Sequence, residues 1–120
     1  MGIIFFKKLD STNTYSKENH SSLKHKDVII AETQTKGRGR YQRTWVSNKG
    51  GLYFSIVLKP KVFSRKNIPN LTQSISVAIC KAIEKYSIKP QIKWPNDILV
   101  NNKKVCGILS ETVFVNNKLK

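Results

Sequence analysis

Only one stretch of this chain combines helical spacing of apolar residues with the length of a long helix. It follows Pro69, a residue tolerated in the first turn of a helix because its missing N–H is not needed there. The stripe predicted to be buried consists of Leu71, Ile75, Ala78, Ile79, Ala82, Ile83 and Tyr86. With one long helix in 120 residues, most of the remaining order has to be β-structure. The predicted fold class is therefore α+β, a mixed β-sheet with flanking helices.

Short apolar segments bounded by turn residues predict the strands. The predicted strands span residues 3–9, 28–33, 52–58, 91–94, 98–100 and 105–115. A short helix to about residue 19 is expected after the first strand, because Asp10-Ser11-Thr12-Asn13 supplies capping side chains. Pro95 should end the fourth strand, and residues 101–104 should join the last two as a hairpin. A turn at 116–118 would begin another hairpin, whose two-residue second arm indicates truncation.

Three of the four arginines lie between Gly37 and Arg43, although eighteen lysines are the basic residues elsewhere. Guanidinium is a rigid fork of donors that matches carboxylate and phosphate. Gly37 and Gly39 permit a positive φ and let an anion approach backbone N–H groups closely. The segment lies in a polar stretch, 34–49, that we expect to be a functional loop. We interpret it as a fixed site for a small anion; a solvated turn and an RNA phosphate contact are the alternatives.

Three other features each have a structural and a functional interpretation. Asp10-Ser11-Thr12-Asn13 is either a helix cap or a set of hydroxyl and amide groups for a neutral polar ligand. Lys93-Trp94-Pro95-Asn96-Asp97 is either a strand followed by a turn or a rigid strand end that places Lys93 at a site. Gly107 lies inside an apolar strand, where glycine often marks the close approach of a ligand.

The net charge of +15 would attract nucleic acid, an anionic membrane or an acidic protein. The lysines, however, are spread over the whole chain without a dense run, which favours a compositional origin for the charge. Cys80 and Cys106 indicate a reducing compartment rather than a disulfide framework, and their spacing fits no metal motif, so no metal site is predicted. The apolar run near the N-terminus is too short for a signal peptide or membrane span. The predicted localisation is cytoplasmic.

Taken in this order, four segments resemble the catalytic domain of biotin–protein ligases (holocarboxylase synthetases). They are Asp10–Asn13, Ala31–Trp45, Lys93–Ile98 and Gly107–Glu111. The resemblance spans residues 10–111 and implies a core like that of class II aminoacyl-tRNA synthetases. Residues 1–120 would be the N-terminal part of this catalytic domain. Neither the N-terminal DNA-binding domain of some members nor the small C-terminal β-barrel is expected here.

The resemblance implies an enzyme that works in two steps. The carboxylate of biotin attacks the α-phosphate of Mg-ATP to give biotinyl-AMP and pyrophosphate, and the acyl group then passes to one lysine of a biotin carboxyl carrier protein. Mg²⁺ accompanies ATP as part of the substrate. No membrane partner is implied, nucleic acid is not the expected partner, and a homodimer is left open.

The resemblance also assigns residues to these steps. Biotin would be held by Ser11, Thr12, Asn13, Gln34, Gly37, Arg38, Gly39 and Gly107. ATP and its phosphates would be held by Arg38, Arg40, Arg43, Trp45 and Lys93. Lys93 and Arg40 would be catalytic, with Lys93 between the carboxylate and the α-phosphate.

Three other functions remain open. A truncated, catalytically incomplete remnant would at most bind biotin. A basic nucleic-acid-binding domain would show steeply salt-dependent binding and no response to biotin. A lipoate ligase shares the general fold and chemistry, but its glycine-rich motif differs from the segment at 37–43.

Overall fold

A computed structural model of the chain describes residues 2–60, 67–94, 96–115 and 118–119. The chain divides into two units: the first comprises Met1–Phe63 and Glu111–Lys120, and the second comprises Ser64–Ser110. The first unit contains β1 (Ile3–Leu9), α1 (Thr12–Glu18), β2 (Val28–Gln34), a 3-10 turn (Arg40–Gln42), β3 (Tyr53–Ile56), β7 (Phe114–Val115) and β8 (Lys118–Leu119). The second unit contains α2 (Ile68–Glu84), β4 (Gln91–Lys93), β5 (Asp97–Val100) and β6 (Lys103–Gly107).

The sheet of the first unit is mixed, as predicted. β2 lies in the middle, parallel to β1 and antiparallel to β3. α1 connects β1 to β2 and contacts both β2 and β3. The α+β class predicted from the sequence is thereby confirmed. No helix in the described part of the chain is long and apolar enough to span a membrane.

One face of this sheet holds the core of the first unit. Leu23, Ile29 and Val57 are buried together there. Partly buried side chains that pack around them are Ile4, Phe6, Leu9 and Tyr15. The rings of Phe6 on β1 and Tyr15 on α1 lie 4.8 Å apart, a separation typical of tilted aromatic pairs. This contact fixes α1 against the sheet and thereby places the residues at its N-terminus.

The second unit is an antiparallel meander with one helix. β5 lies between β4 and β6, and α2 contacts β4 and β5. Asn101 and Asn102 both have positive φ, at 52° and 62°, which is the backbone of a two-residue hairpin turn. The predicted four-residue connection at 101–104 is therefore too long, and Lys103 and Lys104 already belong to β6.

The helix α2 begins as predicted, with Pro69 in its first turn, but its buried stripe differs from the prediction. The buried line consists of Thr72, Ser76 and Cys80, one turn apart. Ser76 donates to the carbonyl of Thr72 at 3.0 Å, within the helix, and the hydroxyl of Thr72 lies 2.9 Å from that of Ser110. Four predicted residues flank the line and are half-buried: Leu71, Ile75, Ile79 and Ile83. The remaining three are exposed: Ala78, Ala82 and Tyr86, the last of them beyond the helix end at Glu84.

The strand predicted at 105–115 is also wrong, because β6 ends at Gly107 and β7 starts at Phe114. The next residue, Ile108, donates its N–H to the carbonyl of Asn96, and its own carbonyl accepts from Asn96 Nδ2 at 3.0 Å. The carbonyl of Ile108, which would otherwise continue the backbone pairing of the two strands, is thus bonded to the side chain of Asn96. Pro95, predicted to end β4, lies outside the described residues, as do Asn116 and Asn117 of the predicted second turn.

Candidate functional site

The glycine–arginine segment lies in a loop, as predicted for residues 34–49, and two isolated bridges fold this loop into a hairpin. Bridges join Gln34 to Ser47 and Arg38 to Thr44 in antiparallel register. Within the hairpin, Trp45 donates to the carbonyl of Gly37 at 2.8 Å and Gly39 donates to that of Arg43 at 2.6 Å. We call residues 37–45 the arginine hairpin. Its backbone is held by the continuation of β2, so the site it forms is partly preorganised.

Neither glycine of the arginine hairpin has the positive φ that the sequence suggested, and one of the two, Gly37, is closely packed. Tyr41 and Gln42 at the tip carry the positive φ angles, 57° and 59°. Gly37 is buried, and a Cβ there would lie 2.4 Å from the carbonyl oxygen of Trp45 and 2.6 Å from Ser47 Oγ. A Cβ on Gly39 would meet nothing closer than 3.8 Å. Only Gly37 is required by its surroundings.

Small hydroxyl and amide side chains gather where α1, β2 and β3 meet. Ser11 caps α1, its Oγ accepting from the N–H of Thr14 at 3.2 Å. The N–H of Thr12 donates to Gln34 Oε1 at 2.8 Å, and Gln34 Nε2 donates to Ser47 Oγ at 2.9 Å. We call Ser11, Thr12, Gln34, Ser47 and Ser55 the hydroxyl cluster; its four hydroxyl residues are buried. The helix-cap interpretation of Ser11 is thus confirmed, and its role toward a neutral polar ligand stays a prediction.

The hydroxyl cluster continues into the side chain of Asn13. Thr12 Oγ1 lies 2.7 Å from Ser55 Oγ, and Ser55 Oγ donates to Asn13 Oδ1. The amide Nδ2 of Asn13 donates to Glu111 Oε1 at 3.1 Å. Both polar ends of Asn13 thus engage protein groups, which fix the orientation of its amide; its contact with biotin stays a prediction.

In the first unit, the carboxylate of Glu111 accepts hydrogen bonds from two positively charged side chains. Its two carboxylate oxygens each lie 2.9 Å from a guanidinium nitrogen of Arg38, and Lys17 Nζ lies 3.2 Å from Oε2. Arg38 Nη2 also donates to Thr14 Oγ1 at 2.9 Å. Burial raises the pKa of the Glu111 carboxyl, but hydrogen bonds from Arg38, Asn13 and Lys17 outweigh burial and lower this pKa below its ordinary value.

The other predicted phosphate-binding residues of the first unit lie toward the tip and base of the arginine hairpin. Arg40 is exposed; it donates to the hydroxyl of Tyr41 at 3.0 Å and lies 5.0 Å from the centre of that ring. Arg43 is exposed as well, and Trp45 is half-buried. Arg38, Arg40 and Arg43 therefore differ: one is ion-paired within the unit, and two are accessible to an anion in solvent.

The second unit carries the two remaining predicted site residues, Lys93 and Gly107, in one row of its sheet. Lys93 pairs with Asp97, and Asp97 pairs with Gly107, so the three share one face at the end of the sheet. Lys93 is exposed at the last residue of β4. Asp97 forms an ion pair with Lys104 at 3.0 Å. Lys93 and Gly107, which the sequence singled out separately, therefore lie in one row of the sheet, on either side of Asp97.

A groove of about 420 Å³ also lies in the second unit, between α2 and β4. It is lined by Val77, Cys80, Lys81, Glu84, Pro90, Ile92 and Trp94. None of the predicted site residues is among these, so the groove has no link to the chemistry discussed here.

Sequence reasoning missed three residues that organise the site: Ser47, Ser55 and Glu111. Ser55 is a hydroxyl in an otherwise apolar strand, and Glu111 is one of seven acidic residues in a chain with 22 basic ones. Both were detectable as exceptions to the local pattern. Ser47 offered no such signal, because its partner Gln34 is joined to it only by the hairpin pairing.

Comparison with known proteins gives a consistent result. The sequence profile of the Biotin/lipoate A/B protein ligase family matches residues 5–120. The chain is 45% identical over 86 residues to the bifunctional ligase/repressor BirA of Bacillus subtilis, covering 70% of this chain and 26% of that protein. It is 32% identical over 123 residues to biotin–protein ligase 1, chloroplastic, of Arabidopsis thaliana, covering 97% of this chain and 33% of that one.

Among solved structures, the biotin protein ligase from Aquifex aeolicus in complex with biotin and ATP is similar over 98% of this chain, with a TM-score of 0.83 and 38% identity. The match covers 49% of that chain. The present chain thus spans about half of this solved relative and about a quarter to a third of the curated ones.

Proposed function

The chain belongs to the biotin/lipoate A/B protein ligase family, and from this premise we propose that it takes part in the ATP-dependent activation of biotin and its transfer to a carrier protein. The acceptor would be a lysine of a biotin carboxyl carrier protein. The observation that carries the proposal is the hydroxyl cluster beside the arginine hairpin, in a chain whose similar structures hold biotin and ATP. The two free thiols support a reducing compartment, and we propose the cytoplasm.

The hydroxyl cluster is suited to the neutral end of biotin. A ureido group has both N–H donors and a carbonyl acceptor, and hydroxyl and amide side chains can serve as either partner. Ser11, Thr12 and Gln34 would make these contacts, with Asn13 behind them. Because these groups bond to one another in the free chain, biotin would replace bonds between them, and the net gain per bond would be modest.

The arginine hairpin is suited to the carboxylate of biotin. Arg38 and Thr44 face each other but exchange no hydrogen bonds, because the bonds of this bridge run from Gly39 to Arg43 and from Trp45 to Gly37. In such a pair the N–H of Arg38 points away from Thr44. Gly37, Arg38 and Gly39 would close over the ligand, and this outward N–H would donate to the carboxylate. The family resemblance alone also assigns Gly107 to the biotin pocket.

The exposed cations would serve the phosphates of Mg-ATP. A carboxylate oxygen forms a bond to the α-phosphorus, the bond to the pyrophosphate oxygen breaks, and biotinyl-AMP results. In the second step the lysine amine attacks the acyl carbon, loses a proton and displaces AMP. Two anions repel each other, so Lys93 between them, with Arg40 and Arg43 at the phosphates and Trp45 beside the nucleotide, would lower the first barrier.

A second candidate function is a biotin-binding remnant that cannot complete the reaction. The chain spans 49% of the solved relative. A homodimer is compatible with either function and would appear in sedimentation. Salt-dependent binding of nucleic acid without a response to biotin would favour the basic-domain alternative instead.

The reaction can be tested by incubating the chain with biotin and Mg-ATP and measuring biotinyl-AMP. We expect Lys93→Ala to slow its formation by roughly two or three orders of magnitude, because a preorganised cation is lost from the reacting centre. Lys103→Ala, at an exposed lysine of β6, is the matched control and should leave the rate unchanged. A Lys93→Ala rate above about a third of the wild-type rate would refute its catalytic role. A biotin-binding wild-type chain that forms no biotinyl-AMP would favour the remnant.

A further inference from the structure

Glu111 receives more polar contacts than any other carboxylate for which the structure gives contacts. Its donors come from two elements: Asn13 and Lys17 from α1, and Arg38 from the arginine hairpin. The residue itself lies in a third segment, 73 positions after Arg38. We propose that Glu111 is a positioning residue of the biotin site, one that holds the arginine hairpin to α1 through Arg38. This inference rests on the proposed function.

The contact has the geometry of a strong ion pair. Two nitrogens of one planar guanidinium face two oxygens of one carboxylate, each pair at 2.9 Å. The side chains of Arg38 and Glu111 are 32% and 19% exposed, so solvent screens this pair less than the Lys17 contact, where the lysine is 42% exposed. Arg38 is thereby held in one position, and Lys17 contributes less.

The fixed guanidinium determines which group of Arg38 can meet a ligand. The contacts with Glu111 and Thr14 use three of the five N–H donors of the guanidinium and fix its position, and the backbone N–H of Arg38 is the donor we assign to a carboxylate ligand. The adjoining residue Gly37 packs against the carbonyl of Trp45, so the peptide between 37 and 38 is restrained on both sides. Glu111 therefore preorganises a backbone donor and reduces the ordering that biotin would otherwise have to impose.

Glu111→Gln tests this role, because glutamine keeps the size but loses the charge and one acceptor oxygen. Glu32→Gln is the matched control: Glu32 lies on β2 in the same unit, and its partner Lys49 is 82% exposed at 3.4 Å. Biotin affinity is measured by calorimetry at a temperature where circular dichroism shows both variants folded. We expect Glu111→Gln to weaken biotin binding at least about tenfold, as expected when a ligand-positioning group is misplaced. Glu32→Gln should bind biotin within twofold of the wild type.

A second measurement requires no ligand, and its wild-type arm requires no variant. Trypsin cleaves after arginine, and the arginine hairpin holds three: Arg38, Arg40 and Arg43. In the wild-type chain we expect cleavage after Arg40 and Arg43 to precede cleavage after Arg38, and Glu111→Gln to accelerate the Arg38 cut at least about fivefold relative to the other two. This comparison detects local release of Arg38, which a general loss of stability would not produce selectively.

The outcomes separate the inference from the proposed function. If the wild type binds no biotin, the proposed function and this role both fail. If the wild type binds biotin and Glu111→Gln binds it within twofold, only the inference is overturned. Should Glu111→Gln fail to fold, wild-type cleavage after Arg38 as fast as after Arg40 and Arg43 would overturn it, and slower cleavage would support it.

Discussion

At the scale of single residues, the site depends on one position where no side chain fits. Gly37 has the carbonyl oxygen of Trp45 on one side and the polar atoms of Ser47 and Gln34 on the other. The sequence singled out this glycine correctly but for the wrong reason, since its role is close packing and its φ is not positive. Which of two neighbouring glycines is required depends on the pairing of the arginine hairpin, and a sequence pattern does not contain that information.

We expect Gly37→Ala to lower the free energy of unfolding by about 1–3 kcal/mol, the usual range for overpacking. Its Cβ would lie 2.4 Å from a backbone oxygen, which can move only if the hairpin moves. The matched control is Gly39→Ala, where the nearest atom is 3.8 Å away and φ is −109°. Urea unfolding measures both variants. Equal destabilisation by the two would show that the close approach at Gly37 is not what matters.

At the scale of elements, the sequence predicted those features that depend on residues close together in the chain. The bounds of β1, the start of α1 and the place of Pro69 followed from apolar runs and capping residues. Other features depend on contacts between residues that are far apart in the sequence. Asn96 ended β6 through Ile108, and Ser110 pairs with Thr72 on the buried line of α2. Glu111 joined α1 to the arginine hairpin across 73 positions. None of these contacts has a period or a motif from which it could be predicted.

The link between α1 and the arginine hairpin should depend on pH. The pKa of Glu111 is lower in the folded chain than in the unfolded one, so its stabilisation is complete above the unfolded-state value of about 4.3 and is lost as pH falls through the lower folded-state value. The charged groups that face it are Lys17 on α1 and Arg38 in the hairpin, while Asn13 and Thr14 do not titrate.

We therefore expect wild type and Glu111→Gln to differ in free energy of unfolding by a constant amount between about pH 7 and pH 5. The difference should shrink toward zero as the pH falls below about 4 and Glu111 takes up its proton. Urea unfolding at pH 7, 5 and 3 provides the comparison, with Glu32→Gln, whose ion-pair partner Lys49 is exposed, as the control. A difference that stays the same at pH 3 would mean that the charge of Glu111 contributes nothing.

At the scale of the whole molecule, the net charge and the exposed apolar surface indicate less about function than a few internal polar contacts do. The net charge of +15 would attract nucleic acid, an anionic membrane or an acidic protein, yet the three arginines of the arginine hairpin divide between an ion pair with Glu111 and exposed positions. On the sheet of the first unit, Ile3, Phe5, Phe54 and Ile56 are exposed on the face opposite the core. Neither feature identifies a ligand. The proposed biotin site rests instead on the hydroxyl cluster and the arginine hairpin, which would combine neutral and anionic recognition in one unit.

The central claim is that this chain holds biotin in that unit. Thermal unfolding with and without biotin tests it most directly, with lipoate as the matched control ligand. We predict one cooperative transition that biotin moves upward with increasing concentration, by roughly 10 °C at one hundred times the dissociation constant, and that lipoate leaves in place. A cooperative transition that is indifferent to biotin, or one that lipoate shifts equally, would contradict the claim.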